Sequence, residues 1–277
     1  MRVLLIAPNG MLGRAWKGLL ESEGVEHTAV GRPELDITRP ETIASMVTPG
    51  CTHVVNCAAW TDVDGAESHE EEARRSNAGG PAALADAVRA IGARLVHYST
   101  DYVFRGDGDA PYPVDTPRDP VSAYGRTKAE GEVLLEESGV DHLTIRTSWV
   151  YAPWGKNFVL TMRRLLTERD QVKVVDDQRG RPTSAEHLAR ASLGLMRADA
   201  RGFFHVSDGG EATWFELARH IGDREGTTCA IEPCTTDAFP RPAKRPAYSV
   251  LDLSRTEALI GPMPDWRNNV NAVLEQL

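Results

Sequence analysis

"RVLLIAPNGMLGRAW", Arg2 to Trp16, is the stretch whose reading decides the fold. A run of branched apolar residues, Val3 to Ile6, leads into Pro8, Gly10 and Gly13, and apolar side chains then return at helical spacing. That order predicts a strand, a tight turn and a helix. The first amides of such a helix have no acceptor within it and face the turn, which suits an anion such as a dinucleotide pyrophosphate. Gly10 would let the backbone come close to that charge, and Gly13 would let the helix pack against the strand. Ala7 stands where the first of three glycines usually sits. Its methyl is tolerable if the local φ is negative, with Pro8 ordering the loop. The same two glycines also suit an ordinary helix start.

Outward from this unit, "EHTAVG", "THVVNCA", "ARLVHYST" and "LTIRTSWV" are further short strand-like runs, separated by longer stretches of helical period up to about residue 150. Such alternation predicts parallel strands joined by crossover helices. The runs are almost continuously apolar, which suits strands buried on both faces of a doubly wound sheet. Between them "PAALADAVRAIG" sets Leu84, Ala87, Val88 and Ile91 on one helical stripe and stops at Gly92.

Beyond Val150 the punctuation changes. "YAPWGKN" leads to an amphipathic "FVLTMRRLLTER", a strand "VKVV" and the loop "DDQRGRPTSAEH". One more sheet strand is expected in "FFHVSD", then a helix "TWFELARHIG", the proline-rich "FPRPAKRPAYSV" and a last helix from about Pro264. The layout predicts a dinucleotide-binding domain over residues 1–150, to which 183–207 return, and a smaller, discontinuous C-terminal lobe from 151–182 and 208–277. The cleft between them is the expected ligand site.

With 277 residues and 41% hydrophobic content the chain can bury a sizeable core. A net charge of −9 argues against a nucleic-acid surface, so an anionic ligand must be met by local groups. No window reads as a membrane span and the N-terminal run lacks a signal-peptide cleavage region, so a cytoplasmic protein is expected. Cys51, Cys57, Cys229 and Cys234 fall at no metal-ligand spacing, and no metal is expected.

Three places carry chemistry. Gly31-Arg32 ends the second expected strand, where an acidic residue would accept the ribose hydroxyls of NAD and an arginine would meet the 2′-phosphate of NADP. Arg32 therefore favours NADPH, with NADH the alternative; Asp36 is a candidate for the adenine edge, and a solvated surface arginine is the plain reading. "SAYGRTKAE" puts Tyr124 and Lys128 one helical turn apart on a shared face. A phenol with a reference pKa of about 10 needs a neighbouring ammonium to exchange protons near neutrality. An exposed Tyr-Lys pair with no role fits the spacing too. "HYSTDYVFRG" sets Ser99, Thr100 and Asp101 at the carboxyl end of the fourth strand, where open sheets bind ligands; Thr100 is the candidate partner for a substrate oxygen. Read alone, that run is a turn or a cap.

The segments "NGMLG", "VVNCAAWTDVDGAE", "STDYVFRG", "YGRTK", "RTSWVY", "DDQRGRPT" and "RPAYSVLDLSR" resemble, in order and spacing, the dTDP-4-dehydrorhamnose reductase family of extended short-chain dehydrogenase/reductases over nearly the whole chain. Ala7, Asp62 and Gly65 depart from the family pattern. The resemblance implies a Rossmann-like doubly wound parallel sheet with a smaller C-terminal substrate lobe. It implies reduction by NADPH of the C4 ketone of a nucleotide-activated 4-keto-6-deoxyhexose, dTDP-4-dehydrorhamnose to dTDP-rhamnose. Thr100, Tyr124 and Lys128 become the catalytic set; Gly10, Met11, Leu12, Arg32, Asp36, Ala58 and Ala59 lie along the cofactor; Asp101, Tyr102, Trp149, Asn157, Arg181 and Arg245 line the substrate side. Trp149 would offer a flat face to the sugar, and the arginines would fork the diphosphate. Trp149 as plain core is the rival reading. Relatives of the scaffold keep two other functions open: a nucleotide-sugar epimerase or dehydratase holding NAD, and a non-catalytic NADP-binding regulatory subunit. A homodimer is a further expectation from the family.

Overall fold

The computed structural model describes residues 1–277. Five strands, β1 (Arg2–Ile6), β2 (Glu26–Val30), β3 (His53–Asn56), β4 (Arg94–Thr100) and β5 (His142–Thr147), join the strand Gly202–His205 in one six-stranded sheet. Every pairing within it is parallel, in the order 202–205, β5, β4, β3, β1, β2. The chain runs from β1 to one edge at β2, then crosses back to β3 and continues the other way. The order therefore reverses between β1 and β3, which opens a crevice at their carboxyl ends.

Because successive strand residues point to opposite faces, one sheet feeds two cores. Val3, Leu5, Val55, Val96 and Ile145 pack with Trp16, Leu20, Leu188 and Leu195, from the helices Met11–Ser22 and Ala185–Arg197. Leu4, Ile6, Val54 and Leu95 face the other way, onto Ile43, Leu84, Val88 and Leu135, from three helices on that side. A third core joins Tyr151, Met162, Val172, Leu217, Trp266 and Val270, all outside the main sheet.

Several expectations shift. The strand expected through Val150 ends at Thr147, and Trp149 follows in the left-handed region at φ 46°. Val150–Tyr151 pairs instead with Thr183–Ser184, away from the sheet. The strand in "FFHVSD" stops at His205, and Asp208 turns inward to accept bonds from Tyr151, Ser184 and His187. The "VKVV" strand, Gln171–Val175, pairs with Ala230–Cys234, a strand with no apolar signature because it lies largely at the surface. The last helix starts at Trp266, capped by the Asp265 side chain, after an additional helix Ser254–Ile260.

Candidate active site

The helix Ala123–Ser138 starts on Ser122, whose hydroxyl accepts the Gly125 N–H at 3.2 Å, while Glu67 accepts the Ala123 N–H at 2.8 Å. A Cβ at Gly125 would collide with the Tyr102 carbonyl, so only glycine lets this first turn lie against the end of β4. That approach brings Tyr124 beside the end of β4, near enough for the Thr100 hydroxyl to favour its ionised form, without an aligned hydrogen bond between the two. Lys128 follows one turn later, buried, with its Nζ donating to the Tyr98 carbonyl of β4. Burial raises the Tyr124 phenol to about 12, against the influence of the nearby Thr100 hydroxyl. Burial also lowers the Lys128 ammonium to about 8, against the attraction of Glu132. The resting pair at neutral pH is a protonated phenol and a charged amine, with no hydrogen bond between them.

Beside this pair lies a corner of unsatisfied polar groups. Thr100 Oγ1 donates to Asp101 Oδ1 at 2.9 Å and accepts the Tyr102 N–H at 3.2 Å. Asp101 is almost wholly buried and its Oδ2 has no partner. Burial pushes its carboxyl up to about 6; Ser249 stands near enough to ease this, but its hydroxyl is not aligned to bond. The Tyr102 ring meets Tyr124 edge-on at 5.7 Å, and burial raises its phenol while the adjacent Arg245 opposes. Arg245 donates to Asp64 at 2.8 Å and leaves Nη1 buried without a partner. Buried groups left unpaired by the protein are available to a polar ligand.

The glycine turn corrects one expectation. Ala7 adopts φ 60°, in the left-handed region that costs a non-glycine residue about 1–2 kcal/mol. Its amide bonds Val30 O at 2.9 Å and its carbonyl accepts Gly10 N–H at 3.2 Å, so the turn is fixed from both sides. A Cβ at Gly13 would collide with the same carbonyl, which is why helix and strand meet so closely there. Gly10 is different: a Cβ there would make only ordinary contact with protein, so the protein's own packing does not demand a glycine. It begins the helix Met11–Ser22 without a side-chain cap, leaving the first-turn amides of Met11 and Leu12 facing outward. After β2, Arg32 is largely exposed and reaches Asp36 at 4.0 Å. Burial opposes ionisation of Asp36, but the Thr38 amide and hydroxyl and the nearby arginines hold its carboxyl below the usual range. After β3, Ala58 is half-buried with its amide on Asn56 Oδ1, and Ala59 is exposed.

The remaining candidates divide. Trp149 stacks on Trp214 with centroids 3.6 Å apart, so at least one of its faces is already covered by protein. Asn157 has both ends of its amide occupied: Oδ1 caps Leu160, and Nδ2 donates to Ala152 O at 2.9 Å and Trp154 O at 3.2 Å. It shapes the turn before the helix Phe158–Glu168 and presents nothing free. Arg181 spends Nε and Nη1 on the carbonyls of Leu251 and Gly210.

Sequence reasoning passed over four residues. Asn77 accepts the Trp60 N–H at 3.0 Å and donates to Trp60 O and Thr127, tying the loop after β3 to the helix of Tyr124. Asp64 anchors Arg245 and the Ala243 amide. Trp154 donates to Met11 O at 3.0 Å, joining the start of the second lobe to the glycine turn. Trp214 backs Trp149. Only Trp154 had a sequence signal, in the "YAPWGKN" punctuation; the others depend on partners distant in the chain.

A doubly wound sheet with a glycine turn after β1, a hydroxyl at the end of β4 and a Tyr-x-x-x-Lys helix packed against it is the arrangement of short-chain dehydrogenase/reductases. The family model described as RmlD substrate binding domain matches residues 1–277. A dTDP-4-dehydrorhamnose reductase of Streptomyces griseus is 44% identical over 96% of this chain and 90% of its own. A probable dTDP-4,6-dihydroxy-2-methyloxan-3-one 4-ketoreductase of Streptomyces antibioticus is 40% identical over 97% and 92%. The solved dTDP-4-dehydrorhamnose reductase of Bacillus anthracis, in complex with NADP, superposes with a TM-score of 0.94 at 33% identity, over 100% of this chain and 99% of that one. The chain belongs to the dTDP-4-dehydrorhamnose reductase family.

Proposed function

We propose that the protein reduces the C4 ketone of dTDP-4-dehydrorhamnose to the alcohol of dTDP-rhamnose, in the cytoplasm and with NADPH as reductant. The observation that carries this reading is the close packing of the Tyr124 turn on the end of β4 through Gly125, with Lys128 buried one turn away on the Tyr98 carbonyl and the unpaired Asp101 and Arg245 atoms alongside. The chain fits the cofactor: Gly10 leaves an uncapped helix start open to a pyrophosphate, and Arg32, largely exposed beside Asp36, would meet a 2′-phosphate. Met11 and Leu12 would give their amides to the pyrophosphate, Asp36 would meet the adenosine edge, and Ala58 and Ala59 would pass under it. NADPH, when bound, supplies the hydride to the carbonyl carbon.

The chain's own residues do the rest. Thr100 holds the ketone oxygen through its hydroxyl, and Tyr124 gives that oxygen its phenolic proton as negative charge develops. Lys128 stabilises the phenolate that remains. Positioning and pre-set charge are the main sources of rate, and the proton transfer contributes about 10²- to 10⁴-fold. Asp101, Tyr102 and Arg245 orient the sugar and diphosphate. Trp149, backed by Trp214, offers what remains of its surface to the substrate, and Asn157 and Arg181 act by shaping the walls. The reading divides the molecule into a cofactor part, 1–150 with 183–207, and a substrate part, 151–182 with 208–277. Pairing of two copies, implied by the family, belongs to the same proposal, and sedimentation measures it.

The test is incubation with NADPH and dTDP-4-dehydrorhamnose, followed by identification of the product sugar, alongside Tyr124→Phe. The variant is expected to lose at least about 100-fold in kcat while binding NADPH as before. Undiminished turnover would remove Tyr124 from the chemistry. The Streptomyces antibioticus relative favours a second reading, in which another dTDP-linked ketosugar is the substrate. Comparing both ketosugars in one assay separates the two.

A further inference from the structure

Tyr124, Lys128 and Glu132 follow one another at four-residue steps along the helix Ala123–Ser138, three turns of one face. Glu132 has no solvent exposure, which an ionised carboxyl tolerates only with close partners. Arg146 of β5 forks it, Nε to Oε1 at 2.9 Å and Nη2 to Oε2 at 2.7 Å, and Arg118 adds a third bond to Oε2. Arg146 is fixed in turn: Nη1 donates to Val114 O at 2.7 Å, and its guanidinium lies over Phe104 and Phe203, 4.9 Å from each ring. Burial alone would raise the carboxyl of Glu132, but the two guanidinium groups hold it below the usual range. A buried ion cluster of this kind is a weak source of stability, so its place behind the Tyr-Lys pair calls for another account.

We propose that Glu132 is a positioning residue for the reductase: its carboxylate, fixed by Arg146, is the negative charge behind Lys128 that keeps the ammonium charged and seated on the Tyr98 carbonyl beside Tyr124. The proposal rests on the catalytic reading of Tyr124 and Lys128. Lys128 forms no direct ion pair, and Glu132 is the charge whose attraction opposes the effect of burial on it. His97 on β4 and His205 on the strand Gly202–His205 are kept neutral by burial, and His142 of β5 is shifted the same way. Asp101 acts on Tyr124, and Glu136 is bonded to Arg118 at 2.7 Å. Burial brings Lys128 down to about 8 with Glu132 opposing, so loss of that carboxylate removes the amine's support.

The chain holds five lysines, Lys17, Lys128, Lys156, Lys173 and Lys244, so ¹³Cε-lysine NMR can follow Lys128 directly, independently of turnover. The proposal expects Lys128 to titrate near 8 in the wild type, about one pH unit or more lower in Glu132→Gln, and close to wild type in Glu132→Asp, which keeps the charge. The alkaline limb of kcat/KM should move down with it. Glu132→Gln leaves Arg146 buried without its counter-ion; if that variant does not fold, Glu132→Gln/Arg146→Met is compared with Arg146→Met, in which Arg118 still holds Glu132, so that the carboxylate alone differs. A folded Glu132→Gln in which Lys128 titrates as in the wild type, or a double variant in which it titrates as in Arg146→Met, overturns the proposal, even if stability falls. Lys128 shifting as expected in a protein that reduces no ketosugar would fault the substrate reading and leave the charge relation standing.

Discussion

Asp101 shows how much one side chain can carry. Its carboxyl is pushed up to about 6 by burial and left with an oxygen that nothing in the protein satisfies. Between about pH 4 and 6 the folded chain holds this proton while the unfolded chain releases it, so the residue's contribution to stability falls as pH rises through that window. Asp101→Asn removes the titration. Its stability relative to wild type is expected to improve by about 1–3 kcal/mol between pH 4 and pH 8, measured by denaturant unfolding, while turnover falls. A pH-independent difference would mean that Asp101 is as well solvated as a surface carboxyl. Ala7 is a second local conflict, a non-glycine residue held in the left-handed region by bonds to Val30 and Gly10. Departures of this kind gather at functional sites because surrounding packing can impose what a local sequence would avoid.

At the scale of elements, the site is made by segments that meet end to end. The helix Met11–Ser22 offers its uncapped start, and the turn 152–157 is tied beside it by Trp154, whose indole donates to Met11 O. Asn157 holds that turn in shape from inside. Trp154→Phe keeps the ring and loses the donor. An expected cost of about 1 kcal/mol corresponds to an NADPH Kd about fivefold weaker by fluorescence titration, with kcat little changed. Unaltered NADPH affinity would separate the turn from the cofactor loop. The spacing of glycines announced the strand-turn-helix, but nothing in "YAPWGKN" named the carbonyl that its tryptophan reaches. Likewise Asn157 reads in sequence as a free polar residue, and only its bonds to Ala152, Trp154 and Leu160 show it fully used.

For the whole molecule, the proposed cofactor crevice lies at the switch between β1 and β3, whereas the Trp149–Trp214 stack stands on residues of the third core and its margins. Changes in one part should therefore leave the other's binding intact. Trp214→Leu removes the stacked partner of Trp149, an interaction worth about 0.5–1.5 kcal/mol. It is expected to raise KM for the nucleotide sugar up to about tenfold while NADPH affinity stays within about twofold. Parallel loss of both affinities would show that the stack supports the fold as a whole.

The amino-acid sequence by itself determined the alternation of strands and helices, the glycine turn, the strand-end hydroxyl and the Tyr124-Lys128 pair, because periodicity and short motifs encode local geometry and the face a side chain takes. Tertiary structure alone decided that Ala7 takes a positive φ, that Trp149 leaves the strand to stack on Trp214, and that Arg146 and Arg118 converge on Glu132. It also paired Arg245 with Asp64, 181 residues away, and Asn77 with Thr127, 50 away. Contacts across such separations are set by how whole elements pack, and no local pattern in the chain specifies which partner a buried polar group will find.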